Sequence, residues 1–226
     1  MSAGSRLFTL LQHGDSLFPS GLTSFSWGLE QLFEERRVSD APALRRLVES
    51  QLRLRWASFD RAFLSASHAA AGDLDLTARI DELCAVSIPA RELREGSSRA
   101  GQALLAVHAK LGTAGVAGYR TRIVQGGAEG HLPVMQGMMW RAIGLSDVDA
   151  ALLSAYGLVA GFAAGAIRLG IFGHVESQRM IGALAQAVEE LALQPPPALE
   201  EAATFTPGSD IASMRHESAQ HRLFAN

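Results

Sequence analysis

The fold of this chain is decided by the stretch Asp147-Val-Asp-Ala-Ala-Leu-Leu-Ser-Ala-Tyr-Gly-Leu-Val-Ala-Gly-Phe-Ala-Ala-Gly-Ala-Ile-Arg168. Its eighteen residues from Ala150 to Ile167 carry no charge, which is long enough for a membrane-spanning helix. They are mostly Ala and Gly, however, and a lone helix of such weak hydrophobicity inserts poorly. Gly157, Gly161 and Gly165 are four apart, so they lie near one face and allow close helix packing. We interpret the stretch as a central buried helix capped by its first residue, with a small integral membrane protein as the alternative.

Length and composition indicate a globular protein of one domain, or at most two. It has 226 residues, of which 48% are hydrophobic and 7% aromatic, so the core is built mainly from aliphatic side chains. The formal net charge of -3 favours neither nucleic acid nor an anionic membrane as a partner. The single cysteine, Cys84, cannot form an internal disulfide, and the N-terminus lacks a secretory signal pattern. We therefore expect a cytoplasmic protein without a nucleic-acid or membrane partner.

Apolar residues at helical spacing recur along the rest of the chain, and no segment alternates as a strand would. The pattern predicts an all-α, single-domain bundle of about eight to ten helices. Residues 1–194 form this body, residues 195–208 a proline-containing linker and residues 209–226 a C-terminal tail. The stretch Gly112–Gly130 holds six glycines and is predicted to be a mobile loop. Residues that can cap or open a helix predict further helix starts at Ser5, Ser24, Asp40 and Asp75.

The tail combines large apolar residues with arginines. Ile211, Met214, Leu223 and Phe224 are the apolar residues, and a disordered tail would normally lack such side chains. Arg215 and Arg222 can donate two parallel hydrogen bonds to a carboxylate, and buried aromatics with arginines dominate the energy of protein interfaces. The tail is therefore predicted to bind a partner protein. A final helix docked on its own domain is the alternative.

The tail also contains a motif that resembles a zinc signature, His216-Glu217-Ser-Ala-Gln-His221. That signature requires two histidines four apart, so that both imidazoles share one helix face. Here they are five apart and point about 140° away from each other on an ideal helix. A metal-dependent hydrolase that uses His216 and Glu217 is therefore kept only as the alternative function.

Catalytic patterns are missing elsewhere in the sequence. No serine lies in a nucleophile-elbow pattern, and no set of histidines and carboxylates has the spacing of metal ligands. The remaining histidines are scattered singly: His13, His68, His108, His131 and His174. We predict a non-catalytic interaction protein with no metal site and no cofactor.

Motifs at both ends of the chain make a family resemblance. Pro19-Ser-Gly-Leu-Thr-Ser-Phe-Ser-Trp-Gly-Leu-Glu30 resembles, without a gap, a pattern of UreF-type urease accessory proteins. Blocks around Gly101 and Gly137 and the segment that begins at Arg168 are similar to the same family. The tail from Asp210 to Phe224 is very close to its C-terminal signature. The matching residues of the first motif are Pro19, Gly21, Ser24, Ser26, Gly28 and Glu30, whereas Thr23, Trp27, Gly170 and His174 depart from the family pattern.

The resemblance implies a function. UreF-type proteins are all-α homodimers without an active site, and they act as scaffolds in the delivery of nickel to urease. They pair with a UreD/UreH-type accessory protein and recruit the GTPase UreG to the urease apoenzyme. By motif, Arg168 and Arg222 are expected to couple to the GTPase. The expected partner-binding residues are Asp210, Ile211, Met214, Arg215, His216, Glu217, Arg222, Leu223 and Phe224.

Overall fold

The computed structural model describes residues 1–19 and 27–216, and within these ranges the protein is helical with no strand. This confirms the predicted all-α, single-domain class. The helices are α1 (Ala3–Gly14), α2 (Leu29–Glu34), α3 (Ala41–Gln51), α4 (Arg61–Ala69), α5 (Leu74–Val86), α6 (Arg91–Lys110), α7 (Val116–Val124), α8 (Leu132–Ala142), α9 (Asp147–Arg168), α10 (His174–Leu193) and α11 (Pro207–His216). A π-helical stretch (Leu52–Asp60) joins α3 to α4, and a short 3₁₀ helix (Leu199–Glu201) precedes α11.

Helix α8 lies at the centre of the bundle. Its residues from Leu132 to Trp140 are all buried, and it packs between α4 and α6. Gly137 sets the approach to α4, because a Cβ at this position would overlap the carbonyl of Leu64. Gly101 does the same on α6, where a Cβ would lie 2.8 Å from the backbone nitrogen of Leu132. Two glycines therefore fix the distance of α8 from its two main neighbours.

Helix α9 is the predicted central helix, and it packs against α8 and α10. Its cap is Ser146 and not Asp147 as predicted, because the Ser146 hydroxyl accepts from the backbone of Asp149 while the Asp149 carboxylate accepts from the backbone of Ser146. Within the described ranges it is the one helix long and apolar enough to cross a membrane, and 56% of that window is buried inside the protein. A buried core helix passes the same test.

The predicted helix from Asp40 onward is one continuous helix in which the π-helical stretch Leu52–Asp60 forms the middle. Asp40 caps it, as predicted, by accepting from the backbone of Ala43 at 2.8 Å. The helix continues through the π-helical stretch to Ala69 and stops at Gly72, which has a positive φ of 94°. Nothing in the apolar spacing indicated the π-helical stretch. Such stretches are rare and often occur at functional sites.

The predicted mobile loop at Gly112–Gly130 is wrong in part, because α7 occupies its middle. The end of this segment is held by the buried carboxylate of Asp81 on α5. That carboxylate accepts hydrogen bonds from the backbone N–H groups of Glu129, Gly130 and His131, at 2.6 to 2.9 Å, and from the Tyr119 hydroxyl at 3.1 Å. The hydrogen bonds of Asp81 thus hold the end of the glycine-rich segment, which has few large apolar side chains to pack.

Two other predicted helix starts are shifted. Helix α1 begins at Ala3 with Ser2 as its cap, not Ser5. Helix α5 begins at Leu74 with Asp73 as its cap, one residue before the predicted start at Asp75. In both cases the residue nearer the N-terminus accepts from the first-turn backbone. The predicted cap Ser24 lies outside the described residues, and α2 begins at Leu29.

Candidate functional site

The segment before α11 runs along the π-helical stretch. The backbone N–H of Ala203 donates to the carbonyl of Ser58 at 3.1 Å, and that of Phe205 donates to the carbonyl of Leu54 at 2.9 Å. The predicted linker is therefore held by the body at this point. Helix α11 begins at Pro207, where the missing N–H costs nothing, and the Thr206 hydroxyl donates to Asp210 at 3.1 Å.

One face of α11 is buried against α2, α6 and the end of α3. The Gln51 amide donates to the Ser209 hydroxyl at 2.8 Å, and Ala212 and Ser213 are buried beside it. Gly28 completes this docking face, because a Cβ there would lie 2.8 Å from the carbonyl oxygen of Ser209. Gly28 also has a φ of 81°, which glycine adopts without strain. The first part of the tail is thus docked on its own domain, as the open alternative had it.

The opposite face of α11 is turned to solvent. Ile211 is 47% exposed and Met214 is 46% exposed. Arg215 donates to the Glu35 carboxylate at 3.2 Å, and hydrogen bonds from Gln31 first and Arg215 second lower the pKa of that carboxyl. The small residues of α11 thus face the body of the protein, and its large apolar residues Ile211 and Met214 stay exposed.

Two more exposed apolar side chains belong to the segment that leads into α11. Phe205 is 73% exposed and Leu54 is 44% exposed, and they are joined by the hydrogen bond between their backbones. Neither was predicted as a site residue. The sequence carries no signal that joins a residue of the linker to a residue of the long helix.

The motif near the N-terminus lies beside this docking face. Glu30 is buried in the first turn of α2, and Gly28 contacts α11 as described. Pro19 lines a cavity of about 210 Å³ between α1, α6, α8 and α9, which is also lined by Gly157 and Gly161. The remaining motif residues, Gly21, Ser24 and Ser26, lie outside the described ranges.

Trp27, which departs from the family pattern, packs on a buried ion pair. The guanidinium carbon of Arg55 lies 5.2 Å from the centre of the Trp27 ring, and Arg55 contacts the Asp60 carboxylate at 3.6 Å. Burial raises the pKa of the Asp60 carboxyl, and the charge of Arg55 only partly offsets this effect. An aromatic side chain at this position therefore shields a charge pair of the π-helical stretch.

The structure describes only some of the other predicted site residues. Arg168 is exposed at the last turn of α9. His216 ends α11. The other predicted partner-binding residues, Glu217, Arg222, Leu223 and Phe224, lie outside the described residues. Their expected roles in partner binding and GTPase coupling stay predictions.

The described residues form no recognisable catalytic set. No group of three or more His, Cys, Asp or Glu side chains suited to a metal ion occurs within residues 1–19 and 27–216. Burial raises the pKa of the Cys84 thiol, which keeps it in its unreactive form.

Comparisons with known proteins identify the family of the chain. A family model described as UreF matches residues 38–185, which is more than half of the chain. The chain is similar to the urease accessory protein UreF of Trichodesmium erythraeum, with 30% identity over 98% of this chain and 97% of that protein. It is also similar to UreF of Haemophilus influenzae, with 31% identity over 96% of this chain and 94% of that protein. UreF of Actinobacillus pleuropneumoniae is 30% identical over 97% of this chain and 98% of its own length. The chain therefore belongs to the UreF family of urease accessory proteins, a family of non-catalytic chaperones.

Proposed function

We propose that this urease accessory protein is a cytoplasmic, homodimeric scaffold for nickel insertion into the urease apoenzyme. It pairs with a UreD/UreH-type protein through its C-terminal segment, and the pair recruits the GTPase UreG. The specific partners come from the family resemblance. The observation that supports this binding surface is the packing of α11. One face of the helix buries Ser209, Ala212 and Ser213, and the other exposes Ile211 and Met214.

A docked helix suits a binding surface better than a free one. Ordering a disordered segment on binding costs about 2–5 kcal/mol, and a helix already held by its own domain avoids most of that cost for its residues. The hydrogen bond between Gln51 and Ser209 and the close contact of Gly28 hold α11 before any partner arrives. The exposed side chains Ile211 and Met214 can then enter a partner's pocket without a change in the body.

Phe205 and Leu54 extend the proposed surface. Exposed apolar side chains that occur singly need no explanation, but a fixed Phe beside an exposed Leu, at the entry to a helix with two more, favours a protein partner. The backbone bonds of Ala203 and Phe205 keep this part of the surface in place. We therefore include Phe205 among the residues that the UreD/UreH-type protein contacts.

The surface is tested by co-purification with the UreD/UreH-type protein. Ile211→Asp combined with Met214→Asp places two charges on the exposed face, and this variant should lose the partner while its helical content and unfolding midpoint stay unchanged. The matched control is Val86→Asp with Val124→Asp, which changes two exposed valines at the ends of α5 and α7. Undiminished binding by the α11 variant would show that this face is not the interface.

GTPase recruitment is tested separately. Arg222→Ala and Arg168→Ala should leave the pair with the UreD/UreH-type protein intact and lose UreG in a pull-down with GTP present. Arg120→Ala, at another exposed arginine, is the control for loss of a positive charge. Normal recruitment of UreG by both variants would contradict the assigned coupling residues.

A further inference from the structure

An open groove lies between α3 and α10 on the surface of the bundle. Its volume is about 550 Å³, which is in the range of roughly 300–1,000 Å³ that binding clefts occupy. The small side chains of Ala41, Pro42 and Ala183 line it, and Met180, which is 5% exposed, forms an apolar part of its wall. The groove is therefore open enough to receive a segment of another molecule.

The two carboxylates that line this groove are already paired with arginines. A carboxylate oxygen of Glu49 is 3.4 Å from a guanidinium nitrogen of Arg53, which lies one helical turn further along the chain. A carboxylate oxygen of Glu176 is 3.2 Å from a guanidinium nitrogen of Arg179, which also lines the groove. Each negative charge of the groove is thus compensated by an arginine close in sequence.

Two further arginines of the groove have no such partner. Arg45 and Arg46 on α3 are exposed, and their guanidinium groups form no ion pair or hydrogen bond within residues 1–19 and 27–216. Asp40, the cap of α3, accepts from the backbone of Ala43 and does not line the groove. The groove therefore has two uncompensated positive charges, although the chain as a whole carries a formal net charge of -3.

The chemistry of these groups favours carboxylates as the ligand. A guanidinium group is planar and can donate two parallel hydrogen bonds to one carboxylate. Nucleic acid is disfavoured, because two arginines neutralise too few phosphates for stable binding and the chain as a whole is acidic. Beside the arginines, the wall at Met180 and Ala183 offers an apolar contact. A peptide segment that combines acidic side chains with an aliphatic one matches both parts of the groove.

We propose that the groove between α3 and α10 binds an acidic segment of a partner protein. Arg45 and Arg46 bind the carboxylates of that segment, and Met180 and Ala183 contact an aliphatic side chain beside them. Ile211 and Met214 do not line the groove, so it is an interaction surface separate from the exposed face of α11. The inference does not depend on the proposed function, and it is tested on the isolated protein.

The test is fluorescence anisotropy of the full-length protein with a labelled peptide of repeated Glu-Glu-Leu sequence. Arg45→Gln combined with Arg46→Gln should weaken binding of this peptide by about fivefold, as expected for the loss of two exposed ion pairs. The matched control is Arg120→Gln with Arg141→Gln, which removes the same charge from two exposed arginines elsewhere and should bind as the unchanged protein does. Equal weakening by the two variants would overturn the proposal, because binding would then depend only on overall charge.

A second variant tests the groove itself. Ala183→Leu keeps every charge but fills the groove from an exposed position on α10, so it should also weaken binding of the peptide. Ile211→Asp with Met214→Asp, on the separate face of α11, should leave peptide binding unchanged. The proposal is overturned if Ala183→Leu binds as tightly as the unchanged protein, or if a labelled single-stranded oligonucleotide binds more tightly than the peptide at the same salt concentration.

A measurement on the unchanged protein avoids any effect of a substitution on folding. The methyl NMR signal of Met180 should move when the Glu-Glu-Leu peptide is added, because this side chain lies in the wall of the groove. The signal of Met135, which is buried in α8, should stay in place. A Met180 signal that does not respond to saturating peptide would show that the peptide does not enter the groove, and the proposal would be wrong.

Discussion

The α-carbon of Gly28 lies directly against the carbonyl of Ser209, so closely that a Cβ at Gly28 would be 2.8 Å from that oxygen. The contact joins the motif near the N-terminus that resembles the family to the helix that begins the C-terminal segment, two regions at opposite ends of the sequence. The motif glycine is therefore part of the surface on which α11 docks. A substitution at Gly28 should therefore loosen the docking of α11 more than it destabilises the core.

Gly28→Ala should loosen α11. The positive φ of 81° costs an alanine about 1 kcal/mol, and the overlap with Ser209 adds about 1–3 kcal/mol unless the helix moves away. We expect faster amide hydrogen exchange in α11 and weaker binding of the UreD/UreH-type protein. Gly72→Ala is the matched control, since Gly72 has a φ of 94° but nothing within 4 Å of the added Cβ. Equal exchange in α11 for both variants would mean that the contact does not hold the helix.

Gly137→Ala should destabilise the whole bundle. The added methyl group would overlap the Leu64 carbonyl and lie 2.9 Å from the backbone nitrogen of His68, and backbone atoms at a helix crossing cannot move independently. Overpacking of this kind costs about 1–3 kcal/mol or more in the free energy of unfolding. Urea denaturation measures the cost. Gly182→Ala on α10 has open space around the new Cβ and should instead stabilise the protein by about 0.5–1 kcal/mol.

The sequence predicts the helical class and most helix positions because both depend on local patterns. Apolar residues at helical spacing locate the core helices, and Asp40 predicts its helix start correctly since capping involves only the next three residues. The blocks that resemble the family also contain Gly101 and Gly137. The structure supplies the physical reason, since both glycines lie where α8 touches a neighbouring helix.

Several features that sequence reasoning missed depend on contacts between distant residues. Asp81 holds the end of the segment that its glycine content predicted to be mobile. The carbonyls of Leu54 and Ser58 accept hydrogen bonds from the backbone of the linker before α11. The stacking of the His13 ring on the His108 ring, with ring centres 5.3 Å apart, belongs to the same group. Helical periodicity gives the buried face of each helix, but it does not tell which faces meet.

The same histidines should make stability depend on pH. The pKa of His108 falls from an ordinary 6.5 to about 4 in the folded protein, mainly through burial, and that of His13 is lowered too. Between these values the unfolded chain binds more protons than the folded one, so the free energy of unfolding should decrease as the pH falls from 6.5 towards 4. Urea denaturation should show a shallower decrease for His108→Phe. His174→Phe, at an exposed position, should keep the slope of the unchanged protein.

Arg61→Met should destabilise the protein because Arg61 joins three elements from a buried position. Its guanidinium donates to the carbonyl of Ala192 at 2.7 Å, at the end of α10, and to the Asp147 carboxylate at 3.2 Å, in the first turn of α9. Methionine fills similar space but removes the donor to the Ala192 carbonyl and one of the donors to the Asp147 carboxylate, which keeps the Ser65 hydroxyl at 2.7 Å. Loss of one member of a buried ion pair costs about 3–5 kcal/mol, and we expect about 2–3 kcal/mol here because Asp147 is part-exposed and keeps that second donor. Arg53→Met removes an exposed partner of Glu49 and should cost less than about 1 kcal/mol. Comparable urea midpoints for the two variants would show that the Arg61 contacts add no more than a surface ion pair does.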